Sequence, residues 1–229
     1  RRSQVTALAD YKQPHADLSD LLIPGETLSE AQASAVLSRY EIPTTERRIA
    51  TTLEEAVTHA TAIGYPVVLK IDSPDIPHKT EADAIRLNVK TPEEVSQAYA
   101  EIVKNAQAYN REARIHGVSV QEMLAEGVEV IIGAHNDDTF GPVIMAGLGG
   151  IFVEVFKDIP FKVAPINRQD ALNIIDELQG KAILHGARGK APVDKEAIVD
   201  VLLKVSALIT DHKDHIQELD INPLVVYEK

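Results

Sequence analysis

Pro66-Val67-Val68-Leu69-Lys70-Ile71 runs directly into Ser73-Pro74-Asp75-Ile76-Pro77-His78-Lys79-Thr80-Glu81. A short apolar run bounded by turn residues is the signature of a buried strand, and this one delivers a single lysine near its end. An ammonium so placed can hold a phosphate at the edge of a sheet; equally, Lys70 can be a strand-terminal surface lysine. In the loop that follows, two prolines fix the backbone on either side of Asp75, which makes it stiff. It presents an imidazole beside a lysine. A neutral histidine, with an unperturbed pKa of about 6.5, is an available nucleophile at physiological pH. Phosphoryl transfer to its ring nitrogen would draw on nearby donors, which Lys79 and the loop amides can supply. The alternative is an exposed loop histidine, one of eight in the chain.

Outward from this stretch the pattern alternates between helices and strands. Thr27 with Glu30 suggests a capping box before a helix reaching about Tyr40, and Thr52 with Glu55 suggests another, ended by Gly64. Thr91-Pro92-Glu93-Glu94 combines an N-cap, a first-turn proline and a reciprocal glutamate. Its helix carries Val95, Ala98, Tyr99, Ile102, Val103 and Ala106 at helical spacing. Further helices are expected over 168–179, stopped by Gly180, and over 195–210. Strands are expected over 66–71, 84–90, 118–122, 128–134, 142–146, 151–156 and 224–227. Strands mixed with helices, some close enough for hairpins, indicate an α/β or α+β protein with mixed sheets. Residues 1–22 are polar without periodicity and suggest a linker or arm.

Composition narrows the function classes. The chain has 229 residues, is 45% hydrophobic and contains no cysteine, which excludes disulfides, thiolate nucleophiles and cysteine-bound metals. No apolar run approaches the ~20 residues of a membrane span and no leader pattern is evident, so a cytoplasmic protein without a membrane partner is expected. With 35 acidic against 23 basic residues the formal net charge is −12. Such a surface repels nucleic acid, and any phosphate must be handled by a focused local site. The chain begins Arg1-Arg2-Ser3 rather than with Met, which suggests a processed subunit or a piece of a longer chain.

Several other segments carry possible chemistry. Gln121-Glu122-Met123-Leu124 lies between two expected strands. A hinge of this kind can offer backbone groups and Glu122 to an adenine edge, with Met123 or Leu124 against its face; a polar hairpin containing Gly127 is the alternative. Glu129 can reach a ribose hydroxyl or be a solvated strand residue. Gly147-Leu148-Gly149-Gly150 allows backbone amides to approach an anion, and also suits any tight hairpin. Glu154 interrupts an apolar run, either facing solvent or held near a cation. Arg188, in His185-Gly186-Ala187-Arg188-Gly189-Lys190, is an anion contact or part of a surface turn. In Glu218-Leu219-Asp220-Ile221-Asn222-Pro223 the alternating positions put Glu218, Asp220 and Asn222 on one strand face. Oxygen ligands of this type suit Mg²⁺; a solvated acidic strand is the other possibility.

Taken in order, the segments at 66–70, 73–80, 121–123, 140–145 (Phe-Gly-Pro-Val-Ile-Met), 147–150, 186–189 and 218–223 resemble the ATP-grasp domain of NDP-forming acyl-CoA synthetases, a group similar to the succinyl-CoA synthetase superfamily. The resemblance runs from about Ile23 to the end. It implies a two-lobed ATP-grasp fold, with lobes at 23–121 and 122–229 after the arm. It also implies ATP or ADP and Mg²⁺ as cofactors, and a CoA-binding partner domain or subunit through which carboxylate and CoA are handled, in an oligomer. By the same resemblance His78 relays the phosphoryl group, Lys70 contacts nucleotide phosphates, Glu122 the adenine side, and Asp220 with Asn222 the Mg²⁺. Lys79, Gly149, Gly150 and Arg188 are candidate phosphate contacts, and Met123, Leu124 and Glu129 further nucleotide contacts.

Three departures stand out. Two glycines usually follow the His-Lys-Ser/Thr segment, whereas here the chain has Glu81-Ala82-Asp83-Ala84; Lys162 stands where arginine is common; and a further aspartate-bearing strand that usually follows the Asn-Pro strand is not in the sequence, which stops at Lys229. The missing glycines raise a second possibility, a non-catalytic nucleotide-binding domain like the degenerate synthetase region of some protein acetyltransferases. A third is an ATP-grasp carboxylate ligase that uses an acyl-phosphate directly and needs no histidine.

Overall fold

The structure, a computed structural model, describes residues 15–22, 25–150, 159–186 and 191–229. The element order is α1 (Glu30–Arg39), β1 (Arg47–Ala50), α2 (Leu53–Ile63), β2 (Val67–Asp72), β3 (Ile85–Val89), α3 (Pro92–Tyr109), β4 (Gly117–Glu122), β5 (Val128–Asp137), β6 (Gly141–Leu148), β7 (Phe161–Val163), α4 (Arg168–Glu177), α5 (Lys195–Asp211) and β8 (Glu218–Val226). No described helix is long and apolar enough to cross a membrane. The expected strand at 151–156 with Glu154, the segment 187–190 with Arg188, and residues 1–14 of the expected arm lie outside the described residues.

The described chain divides into two compact units. Gly25–Ser38 and Pro43–Ala125 make one; residues 15–22, Arg39–Ile42 and the described residues from Glu126 onward make the other. The first is built on a four-stranded sheet in the order β1-β4-β2-β3, the second on a sheet in the order β7-β6-β5-β8. The sequence suggests mixed sheets; every described pairing is antiparallel. Short connections explain part of this, since β5 turns into β6 within a few residues, with Asp137 accepting from the Thr139 and Phe140 amides.

In the first unit α2 and α3 cover one sheet face. Val67, Leu69 and Ile71 of β2 and Val118 and Val120 of β4 bury with Ala56, Ala60, Val95, Ala98, Ile102 and Ala106 of the helices. Strand alternation sends Lys70 and Ser119 to the other face. The Thr91 cap of α3 is as expected, with the Glu94 amide donating to the Thr91 hydroxyl at 3.2 Å, while the Glu94 carboxylate accepts from the Lys90 amide, one residue before the cap, at 2.7 Å. Thr52 likewise caps α2, which Gly64 ends. The start of α1 differs. Its reciprocal cap pairs Ser29 with Gln32, not Thr27 with Glu30, and Glu30 becomes the first helical residue with its side chain free for other work.

In the second unit Val130, Ile132 and Ala134 of β5 and Ile144 and Ala146 of β6 are buried, as are Ile174 and Ile175 of α4 and Val205, Leu208 and Ile209 of α5. β8 runs through Pro223 from Glu218, whereas a strand is expected over 224–227. A register shift opposite Ile131 absorbs Asn222 and Pro223, so no ladder bond is required of the proline.

Candidate functional site

On the face of the first sheet away from α2 and α3, register brings together residues distant in sequence. Lys70 of β2 lies opposite Ser119 of β4, and Gln121 of β4 opposite Arg47 of β1. The Lys70 and Arg47 side chains are only 13% and 14% exposed. Both reach the same oxygen, Oε1 of Glu30 on α1: Lys70 Nζ in a short ion pair, Arg47 Nη2 at 3.2 Å. Burial holds the Lys70 ammonium below the ordinary lysine range; Glu30 opposes that shift, while Arg47 and Lys79 add to it. Burial also pushes the Glu30 carboxyl up, but Lys70, then Arg47 and Lys79, outweigh this and leave it lowered.

Beside this cluster Arg47 Nε, Ser119 Oγ and Gln121 Oε1 are buried without hydrogen-bond partners among the described residues. Buried polar atoms are normally satisfied, so several orphans on neighbouring strands mark a surface shaped for a polar ligand. With three cations against one carboxylate, an anion such as a nucleotide phosphate fits.

The loop after β2 is anchored firmly. Asp75 accepts from the Arg114 amide at 2.7 Å, from Nε at 3.0 Å and from Nη2 at 2.9 Å, and its carboxyl is held down at about 2 by these bonds. Asp72 is buried and meets His116 Nδ1 at 3.2 Å. Ile76 is fully buried, whereas His78 stands exposed and Lys79 half-buried. Rigid anchors and a buried isoleucine thus present an exposed imidazole.

The substituted glycines are accommodated. Asp83 takes a left-handed φ of 46°, a conformation that glycine adopts freely and aspartate tolerates better than most residues. Asn105 donates to its carbonyl at 3.0 Å and its carboxylate at 2.9 Å, and Arg86 bonds both groups as well. Ala82 and Ala84 are buried among apolar neighbours.

Glu122 ends β4 and accepts from the Glu46 amide at 2.9 Å, so one of its oxygens ties β1 to β4. Met123 and Leu124 follow, 36% and 40% exposed.

In the second unit the Gly149 amide donates to the Glu129 carbonyl at 2.7 Å. A Cβ on Gly149 would lie 2.7 Å from the Glu129 Cβ, so only glycine permits this approach; Gly150, at φ 60°, faces the Glu129 carboxylate. Glu218, Asp220 and Asn222 are exposed along β8. Burial raises the Asp220 carboxyl, a hydrogen bond with Asn222 opposes this, and Glu218 adds to the rise. Among the described residues no three His, Cys, Asp or Glu side chains gather as a metal cage. A carboxylate and an amide oxygen without a full cage suit Mg²⁺, which keeps waters and takes other ligands from phosphates. Lys162 on β7 is held by Glu177 at 2.6 Å.

The structure therefore gathers Lys70, Lys79, His78 and Glu122 in one unit, and Glu129, Gly149, Gly150, Asp220 and Asn222 in the other. Arg47 and Glu30 are absent from the sequence-based set of site residues. Only the strand register and the displaced helix cap reveal them.

The fold and these clusters define an ATP-grasp domain, and residues 24–229 match the model of the family so described. The II subunit beta of ADP-forming acetate–CoA ligase from Pyrococcus furiosus is 48% identical over 213 residues, which cover 93% of this chain and 90% of that protein. The ADP-forming acetate–CoA ligase I of Archaeoglobus fulgidus is 42% identical over 92% of this chain but only 30% of its own length. Among solved structures, the dinucleotide-forming acetyl-coenzyme A synthetase 1 of Candidatus Korarchaeum cryptofilum, in complex with coenzyme A, Ca-AMPCP and HgCl⁺, superposes with a TM-score of 0.85 at 44% identity, covering 88% of each chain. The same enzyme is also solved with coenzyme A and Mg-AMPPCP, its phosphohistidine segment pointing towards the nucleotide binding site (TM-score 0.75, 43% identity, 87% of this chain and 86% of that one). The chain belongs to the ATP-grasp family that contains the beta subunits of ADP-forming acetate–CoA ligases.

Proposed function

We propose that this chain is the nucleotide-handling part of an ADP-forming acyl-CoA synthetase, exchanging a phosphoryl group between His78 and ADP or ATP. The observation that carries this reading is the anchored loop, which offers an exposed His78 followed at once by Lys79, within the field of Lys70. In the direction of phosphorylation an imidazole nitrogen forms a bond to the γ-phosphorus of ATP while the bond from that phosphorus to the bridging oxygen breaks and ADP leaves; ATP synthesis is the reverse. Lys70, with Lys79 and Arg47, stabilises charge on the phosphates. Asp220 and Asn222 would hold Mg²⁺, which would supply charge neutralisation at the phosphates; Glu122, Met123 and Leu124 would flank the adenine, and Glu129, Gly149, Gly150 and Arg188 would supply further nucleotide contacts. A CoA-binding subunit or domain carries carboxylate and CoA chemistry, in a cytoplasmic oligomer. The lobes expected at 23–121 and 122–229 serve these two sets of contacts. Asp83 keeps a left-handed φ of 46° without glycine, which supports a catalytic reading over a degenerate, non-catalytic one.

The test is incubation with Mg²⁺ and γ-³²P-ATP, alone and with a CoA-binding subunit of a family member. Acid-labile, base-stable label on the wild type and none on His78→Ala is the expected result. Equal label on both would overturn the relay role of His78.

A further inference from the structure

Glu30 is the unexplained charge of the first unit. It leaves the helix cap to Ser29 and Gln32, and its single Oε1 joins Lys70 and Arg47, two cations that would otherwise repel each other in a nearly water-free setting. We propose that Glu30 is a positioning residue for nucleotide phosphate: it keeps Lys70 charged and clamps the Lys70 and Arg47 heads side by side. This rests on the nucleotide-binding reading of that sheet face.

The groups around Lys70 can be named from every side. From α1 comes Glu30, from β1 Arg47, and from the loop after β2 Lys79. Opposite it, β4 offers the neutral Ser119 and β3 the apolar Ile85. Glu30 is thus the one acid in direct contact with Lys70 among the described residues, and it faces three cations. One carboxylate leaves the cluster with a surplus of two positive charges, enough to attract a phosphate without expelling Glu30. Without that carboxylate, desolvation and the two neighbouring cations all drive the Lys70 proton off.

The discriminating experiment measures Mg-ADP affinity by calorimetry for the wild type, Glu30→Gln, Glu30→Asp and Lys70→Met from pH 7.5 to 9.5, where the phosphates, with a last pKa of about 6, no longer titrate. Glu30→Gln is expected to weaken binding about tenfold at pH 7.5 through lost charge stabilisation, the scale of a charge-assisted hydrogen bond. Its affinity should then fall more steeply than that of the wild type as pH rises. Glu30→Asp should restore most of the wild-type profile, and adding Glu30→Gln to Lys70→Met should cost little more. A merely structural role would lower affinity without the new pH slope, and would overturn the proposal. So would tighter binding by Glu30→Gln, which would make Glu30 a competitor of phosphate. Failure of the wild type to bind Mg-ADP would strike at the nucleotide reading itself, a separate outcome visible in the same titration.

Discussion

Asp75 and Asp220 bring the same carboxyl group into opposite surroundings, one in each unit. Asp75 takes three hydrogen bonds from Arg114 and is held down at about 2. Asp220 has burial and Glu218 pushing it up, with only Asn222 in opposition. The contrast extends to the clusters around them. In the first unit Lys70, Arg47 and Glu30 form a nearly matched set with a cationic surplus; in the second, β8 presents acids with no cation in contact among the described residues. Among the described residues both units are built on four-stranded antiparallel sheets, so the fold does not dictate the difference. Alternate positions along single strands do. One sheet carries a cationic surplus and the other an acidic strand.

Lys70→Met should break the contrast most severely. Removing a preorganised cation from a phosphoryl-transfer site costs about 10²–10³-fold in turnover, measurable as ADP–ATP phosphate exchange. Unfolding should shift little, because Arg47 still meets Glu30. Turnover within tenfold of wild type would mean the first sheet is not the anion side.

Asp220→Asn should act next. The Mg²⁺ concentration for half-maximal exchange is expected to rise by at least about tenfold, the lower end of what even an outer-shell metal partner costs. Stability should behave oppositely. A carboxyl whose folded pKa is raised contributes stability below its unfolded pKa and loses it as pH rises through the folded one. The variant should therefore equal or exceed wild-type stability at pH 7, with any advantage vanishing near pH 3, as denaturant titrations at both pH values would reveal. A variant less stable at pH 7 would show that Asp220 has a partner the acid-strand picture lacks.

Arg114→Ala should have the smallest effect. Asp75 has a depressed folded pKa, so its pairing contributes stability above about pH 4 that is lost as pH falls through about 2. The variant should lose that acid-side dependence and show an Asp75 titration moved up toward the ordinary carboxylate range by NMR. The pair is exposed and screened, so the change at pH 7 should be slight.

Much of this layout was legible in the sequence because it is local. Thr91-Pro92-Glu93-Glu94 specifies a helix start from adjacent residues, and the α3 stripe of Val95, Ala98, Ile102 and Ala106 follows from helical spacing. The loop from Ser73 to Lys79 is stiff for reasons its prolines announce. What escaped was non-local. β1 and β7 span four and three residues, too few for a period to declare itself. Arg47 becomes a neighbour of Lys70 only when β1 and β2 pair with opposite edges of β4. Glu30 was hidden for a subtler reason: Thr27 at its −3 position imitates a cap that Ser29 in fact forms. The continuous strand across Pro223, against the expected start at 224, escaped because a bulge that absorbs a proline has no sequence signal.

Asp83 carries one more consequence. Where glycine would adopt the left-handed turn at no cost and in any solvent, this loop holds it with an exposed aspartate clasped by Arg86 and Asn105. Charge pairs at a surface weaken as ions accumulate, with a screening length of about 8 Å at physiological ionic strength and about 3 Å at 1 M. The backbone leading away from His78 is thus tuned to the saltiness of its surroundings, a dependence that a glycine at this position would not confer.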